Sequence, residues 1–156
     1  MSTSVHLQIS GSLSNRVDAK RLRRAVEATL AEEGVDRPVA LTIVVVDDEE
    51  MSDLHEAYRG EAGPTDVLTF PFEPPNGVDE EGAYLGDIVL CLPQAMRQAG
   101  QEGHSWQDEV DLLAVHGVLH LLGYEDETPE GRARMWRRQA RILERVGLGH
   151  VAPREP

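Results

Sequence analysis

The stretch over residues 110–122 constrains the fold more than any other part of the chain. Leu112, Leu113, Ala114, Val115, Val118, Leu119, Leu121 and Leu122 put apolar side chains on nearly every side of a helix. A helix that is apolar all round needs neighbours on each face, so it belongs at the centre of a core. Ser105, with Asp108 three residues on, forms a capping box before it, and Gly123 stops it. No apolar run approaches the roughly 18 residues needed to cross a membrane.

The rest of the sequence reads as the elements that cover this helix. Residues 5–9 alternate apolar and polar, which predicts a half-buried strand. Over residues 17–33, Leu22, Val26 and Leu30 recur every four positions, an amphipathic helix closed by Gly34. The continuous, largely β-branched run at 39–46 predicts a central strand covered on both faces. Asp47 or Asp48 caps a short helix through Met51, Leu54 and Tyr58. Strands follow at 67–72 and 84–92, around an exposed loop at 74–82. Pro93 starts another helix, and Thr128-Pro129 starts the last one. Met135, Ala140, Ile142, Leu143 and Val146 are its inward candidates, and residues 149–156 read as a loose tail. The order β-α-β-α-β-β-α-α-α predicts an α+β fold. About four strands form a mixed sheet packed with about five helices, in a single domain over residues 1–156.

Charge bears on function. Fifteen Lys and Arg against 28 Asp and Glu give a net charge of -13, a poor start for a nucleic-acid binder. Two basic segments soften this: Arg16, Lys20, Arg21, Arg23 and Arg24, and then Arg132, Arg134, Arg137, Arg138, Arg141 and Arg145. On charge alone both read as solvated helix faces. The N-terminus shows no secretory signal, and the single Cys91 excludes an internal disulfide. Both point to the cytoplasm.

The central helix carries His116 and His120, whose spacing of four puts both imidazoles on one face. Two neutral imidazoles one turn apart can chelate a divalent metal. Gly123 lets the chain turn back, and Glu125, Asp126 and Glu127 follow at once. A carboxylate from this turn would complete a three-ligand site with an open position, as in catalytic zinc centres. The metalloprotease pattern H-E-x-x-H places its general base beside the first His. Here that position is Gly117, which argues against ordinary zinc proteolysis.

The run His116-Gly117-Val118-Leu119-His120-Leu121-Leu122-Gly123-Tyr124 resembles the signature of the YbeY endoribonucleases, the bacterial ribosomal RNA maturation factors. Pro64-Thr65-Asp66-Val67-Leu68-Thr69-Phe70-Pro71-Phe72 resembles their second motif, with Thr69 where Ser is more usual. Leu85-Gly86-Asp87-Ile88-Val89-Leu90-Cys91 resembles their third, and Tyr58-Arg59 stands at the expected place. The family pattern has three histidines, and the third falls where this chain has Asp126. The resemblance therefore implies a zinc site of His116, His120 and Asp126, with Glu125 or Glu127 as the ligand if the turn differs by one residue. An Asp ligand removes one unit of positive charge from the centre and widens the choice towards manganese or magnesium. The resemblance also implies that Arg59 lines the same cleft and binds substrate, sharing catalysis with His116. A guanidinium can hold two oxygens of a phosphodiester as its charge develops.

Asp87, in an apolar strand, reads either as a buried acceptor or as the partner behind a ligating imidazole. Thr65 and Asp66 read as turn-tying residues, Phe70, Phe72, Trp106 and Trp136 as packing, and His104 and His150 as surface residues. Together these readings and the resemblance imply a cytoplasmic, metal-dependent endoribonuclease acting on single-stranded RNA in ribosomal RNA processing and ribosome quality control. The two basic helices would steer RNA, and the acidic remainder suggests that a ribosomal protein or ribosome-associated factor helps deliver it. Two alternatives stand beside this reading: a metal-dependent hydrolase of a peptide or small phosphoester, and a non-catalytic ribosome-associated factor with a structural metal.

Overall fold

Strand β2 (Ala40–Val46) sits inside the sheet because its β-branched residues offer no polar face to water. In the computed structural model, which describes residues 3–13, 17–74 and 84–153, β2 lies between β1 (Ser4–Ile9) and β4 (Tyr84–Cys91) and runs parallel to both. Strand β3 (Val67–Pro71) runs antiparallel along the far side of β4, giving the order β1-β2-β4-β3. With five α-helices, this is the α+β fold that the sequence predicts. The register of β2 on β4 shifts between Ala40 and Thr42, beside Gly86. Gly86 has φ +139°, and a Cβ there would overlap the Phe70 carbonyl oxygen. The bend of β4 against β3 therefore admits only glycine.

The helices are α1 (Ala19–Glu32), α2 (Asp48–Arg59), α3 (Leu92–Glu102), α4 (Trp106–Leu121) and α5 (Pro129–Arg145). Their cap residues stand where the sequence predicts, although at Ser105 only the forward half of the expected capping box is present. Asp47 and Glu50 make a reciprocal capping box on α2, Ser105 Oγ accepts from the Asp108 amide, and Thr128 Oγ1 accepts from Gly131. Residues alternate across the sheet. Leu41, Ile43, Val45, Ile88 and Leu90 meet α1, α3 and α4 on one face. Val46, Val89 and Cys91 meet Met51 of α2 on the other.

Helix α4 is apolar all round because it is covered twice. Val110, Leu113, Ala114 and Val118 pack with the sheet, while Leu112, Val115 and Leu119 pack against Met135, Ile142 and Leu143 of α5. Gly117 lets the helix lie close to the sheet: a Cβ there would fall 2.8 Å from Ile88 Cγ2.

Two expectations change. Residues 149–153 are not loose. Gly149–Val151 forms a 3-10 turn, Val151 is buried against α5, and Trp136 Nε1 donates to the Pro153 carbonyl at 2.6 Å. One apolar anchor docks a segment whose Gly and Pro content reads as irregular. The basic helices are also less available than their charge suggests. Arg138 pairs with Glu33 at 2.7 Å, and Arg141 and Arg145 pair with Glu32 at 3.2 and 2.9 Å. Arg21 pairs with Asp108 and Asp111 of α4. These cations hold helices together. Arg16 and nearly all of the expected loop at 74–82 lie outside the described residues.

Candidate metal centre

The two histidines occupy the last two turns of α4, on the face that neither the sheet nor the apolar side of α5 covers. Their side chains are 27% and 21% exposed, enough to reach a groove. Beyond α4 the chain reverses at Gly123, with φ +102°, and the Tyr124 amide returns to the Leu119 carbonyl. That reversal carries Asp126 back over the helix end, where Arg132 Nη1 donates to its carbonyl at 3.2 Å. Among the described residues, His116, His120 and Asp126 form the one metal-type cluster, their ligand atoms lying within 4.8 Å of one another. Glu125 and Glu127 stay outside it.

Hydrogen bonding fixes what these atoms can do. His120 Nδ1 lies 2.9 Å from the Tyr124 carbonyl, which only accepts, so Nδ1 carries the proton and Nε2 a lone pair. His116 Nδ1 faces Gln139 Oε1 at 2.9 Å in the same sense. The two Nε2 atoms then meet at 3.0 Å, with Asp126 Oδ2 at 3.5 Å from one and 3.9 Å from the other. With both neutral imidazoles protonated at Nδ1, three lone-pair atoms converge on one point. A tetrahedral centre with bonds of about 2.0–2.1 Å separates its ligand atoms by about 3.3 Å. The cluster fits such an ion. Burial, and then the neighbouring His120, hold the His116 pKa below the ordinary imidazole value, which favours the neutral form that ligates.

Two cavities meet at the cluster and share Asp66, Val67, His116 and Asp126. The smaller, about 320 Å³, is lined by Arg59, Thr65 and Thr69 together with both histidines. It thus brings Arg59 and the three candidate ligands together. Its walls hold Asp66, Glu125, Asp126 and Glu127 against one guanidinium. An anionic substrate enters such a groove only when a cation offsets those carboxylates. The larger cavity, about 830 Å³, runs from His116 and Asp126 past Leu112, Met135 and Trp136 to His104 and Glu109.

Other expectations are corrected here. Asp87 does not stand behind an imidazole; its carboxylate accepts from the Tyr84 hydroxyl, which also contacts Thr42 Oγ1. The partners behind the imidazoles are Gln139 and the Tyr124 carbonyl. His104 is not a surface residue: its side chain is 8% exposed, and Nε2 donates to Glu109 Oε1 at 2.6 Å. Asp66 does tie its turn, accepting from the Val67 amide at 2.8 Å, and it also lines both cavities. The sequence reading missed Gln139. Its signal was a polar residue on the inward stripe Met135, Gln139, Ile142, where Ala140 was expected instead.

The sequence profile of the family described as Endoribonuclease YbeY matches residues 8–147. An Endoribonuclease YbeY of Moorella thermoacetica is 46% identical over 135 residues, covering 81% of this chain and 85% of the relative. Another, of Thermobifida fusca, is 43% identical, covering 81% and 84%. The solution structure of TM1509 from Thermotoga maritima superimposes with a TM-score of 0.62 at 26% identity, over 91% of this chain and 88% of that one.

Proposed function

The chain belongs to the Endoribonuclease YbeY family, and from that premise we propose that it is a metal-dependent endoribonuclease that cuts single-stranded RNA in ribosomal RNA processing and ribosome quality control. The observation that carries the metal is the convergence of His116 Nε2, His120 Nε2 and Asp126 Oδ2, with acceptors behind both Nδ1 atoms. Zinc suits this donor set, and the carboxylate oxygen also admits manganese or magnesium. A bound divalent ion supplies Lewis acidity towards a phosphate oxygen or a water.

The chain's own residues do the rest. Arg59, an exposed guanidinium on the same cavity, holds non-bridging oxygens of the phosphodiester and stabilises charge that grows on them. The Asp126 carboxylate tempers the acidity of the centre relative to a third imidazole. The acids around Arg59 turn away nucleic acid that does not reach the ion. Arg21, Arg138, Arg141 and Arg145 are spent on intramolecular pairs, and the net charge of -13 opposes RNA generally, which favours delivery by a ribosomal protein partner in the cytoplasm. No helix among the described residues is long and apolar enough to cross a membrane.

The test combines metal analysis with cleavage. Plasma mass spectrometry on the tag-free protein is expected to find about one divalent ion per chain. Single-stranded RNA is expected to be cut in preference to duplex RNA and to peptides. A protein that takes up no zinc, manganese or magnesium, or that cuts RNA equally well as His116→Ala, sinks the reading.

A further inference from the structure

The two imidazoles face each other so closely that the metal-free site has a way of closing on itself. If either Nε2 carried a proton, it would donate across the 3.0 Å gap to the other, and both lone pairs would be lost to an incoming ion. His120 cannot be that donor, because the Tyr124 carbonyl at 2.9 Å keeps its proton on Nδ1. A backbone carbonyl lies beyond the reach of any side-chain substitution. Everything then turns on His116, whose tautomer is set by one side chain.

We propose that Gln139 is the positioning residue of this site: its Oε1 holds the His116 proton on Nδ1 and so keeps the paired imidazoles from hydrogen-bonding to each other. Gln139 is 5% exposed, on the α5 stripe that packs against α4, and its Oε1 lies 2.9 Å from His116 Nδ1. Its hydrogen bond to the cluster is to His116, through which it acts. Helix α5 holds the second imidazole's partner too. Arg138, next to Gln139, pairs with Glu33, which accepts from the Tyr124 hydroxyl. Partners behind metal-ligating imidazoles commonly fix the tautomer, and their loss costs roughly 10–100-fold in metal affinity. Here a specific competing state explains such a loss, because an acceptor-free residue at 139 frees His116 to donate to His120.

The proposal rests on the metal-centre reading, and the experiment separates the two. Nitrogen-15 NMR of the imidazoles in the metal-free protein reads the tautomers, and competition with a chromophoric chelator reads zinc affinity. The wild-type protein is expected to show His116 protonated at Nδ1. Gln139→Leu, close in volume and without an acceptor, is expected to move that proton to Nε2 and to weaken zinc binding about 10–100-fold. Gln139→Glu, an acceptor only, is expected to keep the wild-type tautomer and to bind zinc far more tightly than the Leu variant. The proposal fails if wild-type His116 is protonated at Nε2, if Gln139→Leu changes neither readout, or if Gln139→Glu loses as much affinity as Gln139→Leu. Should the Leu variant not fold, the wild-type tautomer and the Glu variant decide. If the wild-type protein takes up no zinc, the metal-centre reading fails, while the tautomers still decide the role of Gln139.

Discussion

Helix α4 carries two polar clusters on one side, and they are built to opposite rules. Glu109 and His116 are seven residues apart and so share a face, and both line the larger cavity. At the Glu109 end every acceptor meets a donor. His104 Nε2 donates to Oε1 at 2.6 Å, and Gln98 Nε2 donates to Oε2 at 3.0 Å and to Asp66 Oδ2 at 3.2 Å. At the His116 end three acceptors converge and no donor answers. Burial and charge type alone do not tell the two apart, because both clusters mix histidine with carboxylate. The balance of donors and acceptors does: the matched cluster has the form of a structural network, and the unmatched one has the form of a cation site.

The largest expected effect breaks the unmatched cluster. His120→Ala is expected to lose metal by more than the roughly 10–100-fold that an outer partner is worth, with melting of the metal-free protein little changed. Asp126→Ala is expected to behave likewise, and full metal occupancy in that variant would remove Asp126 from the ligand set. Next comes Arg59→Ala, expected to lower kcat on single-stranded RNA by about 10²–10³-fold while metal content and melting temperature stay put. An unchanged kcat would make Arg59 a surface cation only.

Glu109→Ala attacks the matched cluster and is expected to do the reverse. It strips the acceptor from the buried His104, at a cost of about 1–3 kcal/mol. Thermal melting should fall by several degrees, at about 2–4 °C per kcal/mol for a chain of this size, with zinc affinity unaltered. A large loss of zinc affinity would mean that the two clusters are one. The smallest effect is on pH dependence. His116 in the folded protein titrates below the ordinary 6.5, chiefly because it is buried. Below 6.5 the unfolded chain therefore binds a proton that the folded chain refuses. Stability of the metal-free protein is full above that pH and falls as pH drops towards the lowered value. His116→Ala is expected to flatten this dependence, measured by denaturant melts between pH 5 and 8.

Features encoded within a few residues were legible in the sequence. Asp47 or Asp48, Ser105, and Thr128-Pro129 announced three helix starts, and the all-round apolar run at 110–122 announced the central helix. His116, His120 and the acidic turn were equally local. Long-range partners were not, nor were two side-chain pairs that lie close in sequence but depend on how a strand and a helix start are set. Gln139 lies 23 residues from His116 and meets it only because α5 packs on α4. Asp87 reads either as a buried acceptor or as an imidazole's partner, and it is the Tyr84 hydroxyl, three residues earlier, that donates to it. His104 reads as a surface residue because Glu109, five residues on, reaches it only across the start of α4. The basic runs read as free charge because Glu32 and Glu33, which neutralise much of the second run, sit over 100 positions away in sequence.

Gly117 limits where such a fold can go. Peptide hydrolysis on the H-E-x-x-H plan needs a Glu at this position. The first atom of any side chain there already collides with Ile88 on β4. A mutational path from this scaffold to a zinc peptidase thus needs two coordinated changes, one opening space at 88 and one adding the acid at 117. Either step alone yields a worse protein: a cavity in the core, or a helix prised off its sheet. Neighbouring chemistries on the same pair of histidines are therefore separated by a packing barrier between a helix and its sheet.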